Sequence, residues 1–217
     1  MFNRTTLLIL LAALAAGLGL WAAQVAFAPG GAPAAAAPAV DPASLKAVRL
    51  FPSPRAIAPF SLQQSDGTAL EPAELAGRWT VVFLGFTHCP DVCPTTLTEL
   101  SQAQKAWDAL PEARRPRVLF VSVDPERDTP EKTGEYAAYF HPATLSATAQ
   151  EPALEQFATS LGLVYMKVPV EGGDYTMDHS SALVVLDPRG LQVGLIRPPF
   201  VPADIAADLA RLAEVAP

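Results

Sequence analysis

The chain has 217 residues, 50% of them hydrophobic and 17% charged, with a formal net charge of −7. Its 15 Lys and Arg are scattered, with no cluster larger than Arg114, Arg115 and Arg117. This argues against a nucleic-acid partner, which needs clustered cations to displace counterions. Cys89 and Cys93 are the only thiols in the chain.

The N-terminus differs from the rest. One positive residue, Arg4, is followed by a stretch without charge from Thr5 to Val40, and Leu7 to Ala28 form 22 strongly apolar residues. About 20 apolar residues in a helix cross a hydrocarbon core, so residues 1–28 are expected to be a single-pass membrane anchor. Trp21 suits the far interface, and Arg4 stays on the cytoplasmic side. The same stretch also reads as a cleaved signal peptide, with Ala26-Phe27-Ala28 as the cleavage site. Secretory apolar regions usually run to about 15 residues at most, so the length favours an anchor. Both readings export the chain beyond residue 28. Residues 29–45, nearly all Ala, Pro and Gly, read as an extended tether. The remaining residues, 46–217, suit one domain.

Within that domain "PFSLQQSDGTAL" predicts a β-hairpin turning at Asp66-Gly67. "WTVVFLGF" (79–86) and "RVLFVSVD" (117–124) are continuous apolar runs, as in strands buried on both faces. Between them Leu97, Leu100, Trp107 and Leu110 fall on one helical face, with the helix expected to begin at Pro94. "TPEKTGEYAAYF" predicts a helix capped by Thr129 with Pro130 at its first position. "EPALEQFATSLG" predicts a helix closed by Gly162. "SALVVLDPRGLQVGLI" predicts two strands joined at Asp187 to Gly190, and Ile205, Leu209, Leu212 and Val215 line a terminal helix. This order predicts a three-layer α/β fold of thioredoxin type with an N-terminal β-hairpin extension. Chemistry in such sheets gathers beyond the carboxyl ends of the parallel strands. His179, 86 positions after Cys93, is thereby expected beside the cysteines.

Cys89 and Cys93 stand at i, i+4, so at a helix start both sulfurs can touch one metal ion. A helix N-terminus also favours thiolate, the form that binds metals and attacks disulfides. With His179 the set offers two soft sulfurs, one imidazole and no evident fourth ligand. Structural zinc takes four protein ligands, whereas two thiolates and an imidazole suit Cu(I). Other readings stand beside this one. Paired cysteines in an exported protein commonly form a disulfide or a redox couple. His88 competes with His179, and His141 follows a helix far from this edge. Met177 is a thioether donor or simply packing. Asp124 and Asp128 can serve as caps for the next helix.

At "GFTHCPDVCPTTL" (85–97), "VSVDPERDTPE" (121–131) and "DYTMDHSSALVVLDPRG" (174–190) the chain resembles the Sco/SenC family of membrane-anchored, thioredoxin-like copper proteins. With the fold order, the resemblance covers roughly residues 55–215. It implies that Cys89, Cys93 and His179 bind copper, as Cu(I) or Cu(II). It also implies a copper carrier rather than an enzyme, which delivers copper to, or prepares, the dinuclear centre of cytochrome c oxidase. The implied partners are the copper-centre subunit of that oxidase and other periplasmic copper chaperones or thiol oxidoreductases. The implied place is the periplasmic side of the inner membrane. A thiol-disulfide oxidoreductase that keeps a client's copper-ligand cysteines reduced, using Cys89 and Cys93 as its redox pair, is the competing expectation. Thioredoxins keep two residues between their cysteines and this chain keeps three. Peroxiredoxins place Thr three positions before the attacking Cys, where this chain has Phe86 and Pro90.

Overall fold

The computed structural model describes residues 40–215 continuously, together with residues 3, 4, 6, 8 and 13–19. Two compact units result, Met1–Ala37 and Pro38–Pro217. In the first, residues 4, 6, 8 and 13–19 are helical, and most of the expected anchor, residues 7 to 28, lies outside the described residues. Among the described residues no helix is long and apolar enough to cross a membrane.

The second unit contains, in chain order, β1 (Val48–Arg55), β2 (Leu62–Gln64), β3 (Ala69–Leu70), α1 (Pro72–Leu75), β4 (Thr80–Gly85), α2 (Val92–Trp107), β5 (Arg117–Ser122), α3 (Pro130–Phe140), β6 (Leu145–Thr148), α4 (Ala153–Ser160), β7 (Tyr165–Pro169), β8 (Tyr175–His179), β9 (Leu183–Leu186), β10 (Gln192–Ile196) and α5 (Pro202–Val215). Eight strands form one sheet in the order β1-β10-β9-β4-β5-β6-β2-β3, while β7 and β8 pair separately. β4, β5 and β6 run parallel, and β9 runs antiparallel to β4.

The apolar runs are central because helices cover both faces of the sheet. Val81, Phe83, Val118 and Phe120 pack on one side with Leu97, Leu100 and Trp107 of α2 and Ile205, Leu209 and Leu212 of α5. Val82, Leu84, Leu119 and Val121 pack on the other with Leu154 and Phe157 of α4. Three layers result, as the sequence predicts. The hairpin at Asp66-Gly67 is present as β2 and β3, with Gly67 at φ 82°, and β2 extends the sheet beside β6. α3 begins as its cap predicts, with the Thr129 side chain accepting from the Lys132 amide.

Two expectations shift. α2 begins at Val92, ahead of Pro94, and ends at Trp107, so Leu110 lies beyond it in a turn whose amide donates to the Trp107 carbonyl at 2.8 Å. β1, β6, β7 and β8 are short or polar stretches without an apolar period, and the sequence does not predict these four strands. β1 is mostly exposed and is paired only through β10 at the sheet edge.

The start of β1 is fixed by one buried side chain. Asp208 of α5 is 2% exposed, and its Oδ2 accepts from the amides of Lys46, Ala47 and Val48 at 2.9, 2.7 and 3.0 Å. These residues directly follow the Ala/Pro-rich stretch, and Leu45 before them is already in the core. Asp208→Ala strands three amide donors, so we expect a loss of about 3 kcal/mol in urea unfolding. Asp208→Asn retains an acceptor oxygen and should lose less.

Candidate metal centre

The carboxyl end of β4 leads through Phe86 into the turn that carries the cysteines. Gly85 closes β4 because nothing larger fits: a Cβ there would lie 2.8 Å from Phe120 Cε2 and 3.1 Å from Cys93 Sγ. Cys93 sits in the first turn of α2 and is fully buried, while Cys89 lies in the turn before the helix and is half-buried. Both are free thiols. Cys89 Sγ accepts the backbone N–H of Cys93 at 3.3 Å, so one of the otherwise unpaired amides of the helix start is spent on a sulfur.

His179 ends β8, and its Nε2 stands 3.6 Å from Cys93 Sγ. Nδ1 lies 3.1 Å from the Ser180 carbonyl oxygen. A carbonyl only accepts, so the proton of the neutral ring belongs on Nδ1, and Nε2 presents its lone pair to the sulfur. Burial pushes the His179 pKa below its usual value, against the opposing pull of the Ser180 carbonyl, which keeps the ring neutral at pH 7. Burial likewise pushes the Cys93 thiol up, with the contact to Cys89 adding to it. Phe83 and Phe86 stand edge-on to the His179 ring at 6.1 Å each, so the imidazole is held in an apolar slot.

The other candidates fall elsewhere. His88 is exposed, with Nδ1 3.1 Å from Thr87 Oγ1 and 3.5 Å from Asp128 Oδ1. It therefore turns toward a carboxylate. His141 is the buried C-cap of α3, 4.0 Å from Asp108. Met177 packs between the two faces of the core. Among the described residues the group whose ligand atoms lie within 4.8 Å of one another is His88, Asp124 and Asp128, and Cys89, Cys93 and His179 do not form so tight a set. The acidic group nevertheless fits a latch better than a cation. Asp128 is fully buried and accepts from the Thr87 amide at 2.8 Å, Thr87 Oγ1 at 2.5 Å and Ser122 Oγ at 2.6 Å. Asp124 accepts from Arg127 Nε at 2.5 Å and Tyr175 Oη at 2.8 Å. Their oxygens are already occupied by donors.

Asp128 therefore fastens the cysteine turn to the end of β5, a role that a cap of α3 does not describe. Thr129 performs that capping. Arg127 and Tyr175 lie within two of the blocks that carry the family resemblance, but the sequence alone gives neither a role. A further signal is the position of Arg127 between two aspartates in a polar strap that comes after a buried strand.

With the geometry of two sulfurs and a half-buried imidazole in place, comparison with known proteins decides the family. The SCO1/SenC model matches residues 51–214. This chain belongs to the SCO1/SenC family. A relative is the putative copper-binding protein of Stutzerimonas stutzeri, 34% identical over 155 residues, 70% of this chain and 74% of that protein. Protein SCO1 homolog 1, mitochondrial, of Arabidopsis thaliana is 39% identical over 137 residues, covering 60% of this chain. This SCO1/SenC chain spans only 39% of that plant protein. The crystal structure of Arabidopsis thaliana ScoI with copper bound superposes with a TM-score of 0.68 at 32% identity, over 73% of this chain and 98% of that one. The thioredoxin-like α/β fold of SCO1/SenC proteins is thus the fold of this domain.

The latch can be tested without metal. Asp128→Ala should release the SCO1/SenC cysteine turn and expose Cys93. We expect its alkylation to speed up by about tenfold, the equivalent of about 1.4 kcal/mol of lost anchoring. Mass spectrometry of the iodoacetamide-labelled protein reads this directly. An unchanged rate would mean that the turn holds itself.

Proposed function

We propose that this domain is a copper carrier that binds one copper ion through Cys89, Cys93 and His179 and delivers it to, or prepares, the dinuclear copper centre of cytochrome c oxidase. The observation that carries this reading is the approach of His179 Nε2, lone pair forward, to Cys93 Sγ at 3.6 Å. A metal-bound histidine characteristically gives its other N–H to a carbonyl or carboxylate, and His179 Nδ1 has such a partner in Ser180. Two sulfurs and one imidazole form a soft, low-coordinate donor set suited to Cu(I), with imidazole also acceptable to Cu(II). The half-buried Cys89 leaves one side of the set open to an incoming ligand, which transfer requires. Copper in a related ScoI supports the cargo, and family membership supports the oxidase as client. The extracytoplasmic placement rests on the 22 apolar residues from Leu7 to Ala28.

One observation favours a second reading, a dithiol reductase. Cys89 is half-buried and accepts an amide N–H, while Cys93 is buried behind it. An accessible thiol backed by a buried one is the arrangement of a thiol-exchange pair.

The two readings part on His179. The reduced protein should bind one copper per chain, and Cys89→Ala, Cys93→Ala or His179→Ala should each abolish tight binding by titration. Retained affinity in His179→Ala with loss in His88→Ala would displace His179 from the site. In cells lacking the protein, His179→Ala should impair oxidase assembly about as severely as Cys89→Ala, with relief by added copper. Full rescue by His179→Ala at low copper would favour the reductase.

Acid should compete with the metal. The Cys93 thiol is pushed up by burial, so it is protonated in the copper-free protein at neutral pH and must lose that proton to bind. Apparent Cu(I) affinity should therefore rise roughly tenfold per pH unit for Cys93 alone, measured by competition with a chromophoric chelator between pH 6 and 8. A flat profile would remove Cys93 from the ligand set.

A further inference from the structure

His179 reaches the cysteines on an element that has little reason to be stable by itself. β7 and β8 form a two-stranded sheet apart from the main one, and an isolated two-stranded hairpin is marginal in water. Its residues are exposed or half-buried throughout. Ser180 ties one end, exchanging hydrogen bonds with Val164 at 2.9 and 3.0 Å. The other end must be held from outside.

The strap between β5 and α3 provides that hold. Arg127 Nη1 donates to the Tyr175 carbonyl at 3.0 Å, and its guanidinium lies 3.7 Å from the centre of the Tyr175 ring. Arg127 Nε and Tyr175 Oη both donate to the buried carboxylate of Asp124. Lys167 Nζ lies 3.8 Å from the same ring and bonds Glu126 at 2.6 Å. The guanidinium also sits 6.0 Å from the Phe86 ring, which in turn stands edge-on to His179. Arg127 therefore touches the hairpin, the strap and the aromatic neighbour of the imidazole at once.

We propose that Arg127, acting with Tyr175 and Asp124, is a positioning residue that holds the β7–β8 hairpin so that His179 meets the cysteines, and that it thereby governs the nitrogen donor without governing the thiols. The inference rests on the copper-carrier reading for its consequence, since the thiols are held separately by Asp128. Breaking the clamp should leave the dithiol in place and remove the imidazole from it for part of the time. Cu(II) is the sensitive probe, because it depends on the imidazole more heavily than Cu(I), for which the soft thiolates supply most of the binding. Lysine cannot replace arginine here, because one ammonium cannot stack on Tyr175 and reach Asp124 and a carbonyl in the same fork.

The full-length chain serves as wild type, Arg127→Ala, Arg127→Lys and Tyr175→Phe, with Asp208→Asn as a variant weakened far from the site. In the reduced, copper-free protein, amide hydrogen exchange at residues 165–179 should speed up about tenfold or more in Arg127→Ala, while exchange in α2 is unchanged. Cu(II) affinity should fall about 10- to 100-fold, the usual cost of losing an outer support of a metal ligand, with weaker nitrogen coupling in the electron paramagnetic resonance spectrum. The midpoint potential of the Cys89–Cys93 pair should not move. Arg127→Lys should recover only part of the loss, and Tyr175→Phe, which keeps the ring, should lose little. The proposal is overturned by wild-type exchange and Cu(II) affinity in Arg127→Ala. Loosening that extends equally through α2, as in Asp208→Asn, would also overturn it. Should Arg127→Ala not fold, Arg127→Lys against wild type decides on the same readouts. Absence of copper binding in the wild-type chain would defeat the carrier reading, and the exchange data alone would then judge the clamp.

Discussion

The site depends on the short strap after β5, where two buried carboxylates pull in different directions. Asp128 accepts from Thr87 and Ser122 and so fixes the cysteine turn. Asp124, four residues earlier, accepts from Arg127 and Tyr175 and so fixes the hairpin of His179. Burying a carboxylate is costly unless its oxygens are fully hydrogen-bonded. The donors it gathers are consequently held firmly. Here one donor to each aspartate, Thr87 and Tyr175, belongs to one of the two segments that must meet, so satisfying the aspartates also draws those segments to the strap.

Around the strap the environment is apolar. Cys93 packs with Phe83, Phe86 and Phe120, and the His179 ring stands among Phe83 and Phe86. Low polarity keeps the imidazole neutral and the Cys93 thiol protonated. Under the proposed function a proton and a soft metal ion compete for the same sulfur, and the full burial of Cys93 keeps away the water that would stabilise a bare thiolate. The chain's net charge of −7 acts on the whole surface, whereas under the proposed function the selection of the ion rests with the sulfur and nitrogen donors.

The two halves of the site differ in rigidity by construction. Cys93 belongs to the first turn of a 16-residue helix packed on the main sheet. His179 belongs to a five-residue strand of a hairpin outside that sheet. A ligand carried by a firm helix and another carried by a clamped hairpin give a site that can form around an ion and open again. This is what the proposed carrier role would require, since a carrier must release what it binds.

Elements whose cause is local or periodic were legible in the residues alone. β4 and β5 could be read as unbroken apolar runs because both of their faces are covered. α3 was legible from Thr129 and Pro130, and the β2–β3 turn from Asp66-Gly67, because a cap or a positive φ constrains residue type at the position itself. The cysteine pair was legible from its spacing, and its kinship from three short blocks. Other features waited on long-range packing. β1 is an exposed edge strand held through β10 and Asp208, 160 residues from Val48. β7 and β8 are short, half-exposed strands with no apolar alternation to announce them. The strand order already placed His179 beside the sulfurs, and the structure adds that the competing His88 is drawn aside by Asp128. Arg127 gains its role only once Tyr175 lies beneath it, 48 residues along the chain. Contacts of that range leave no period and no local constraint in the sequence, because each depends on where another segment has already been placed.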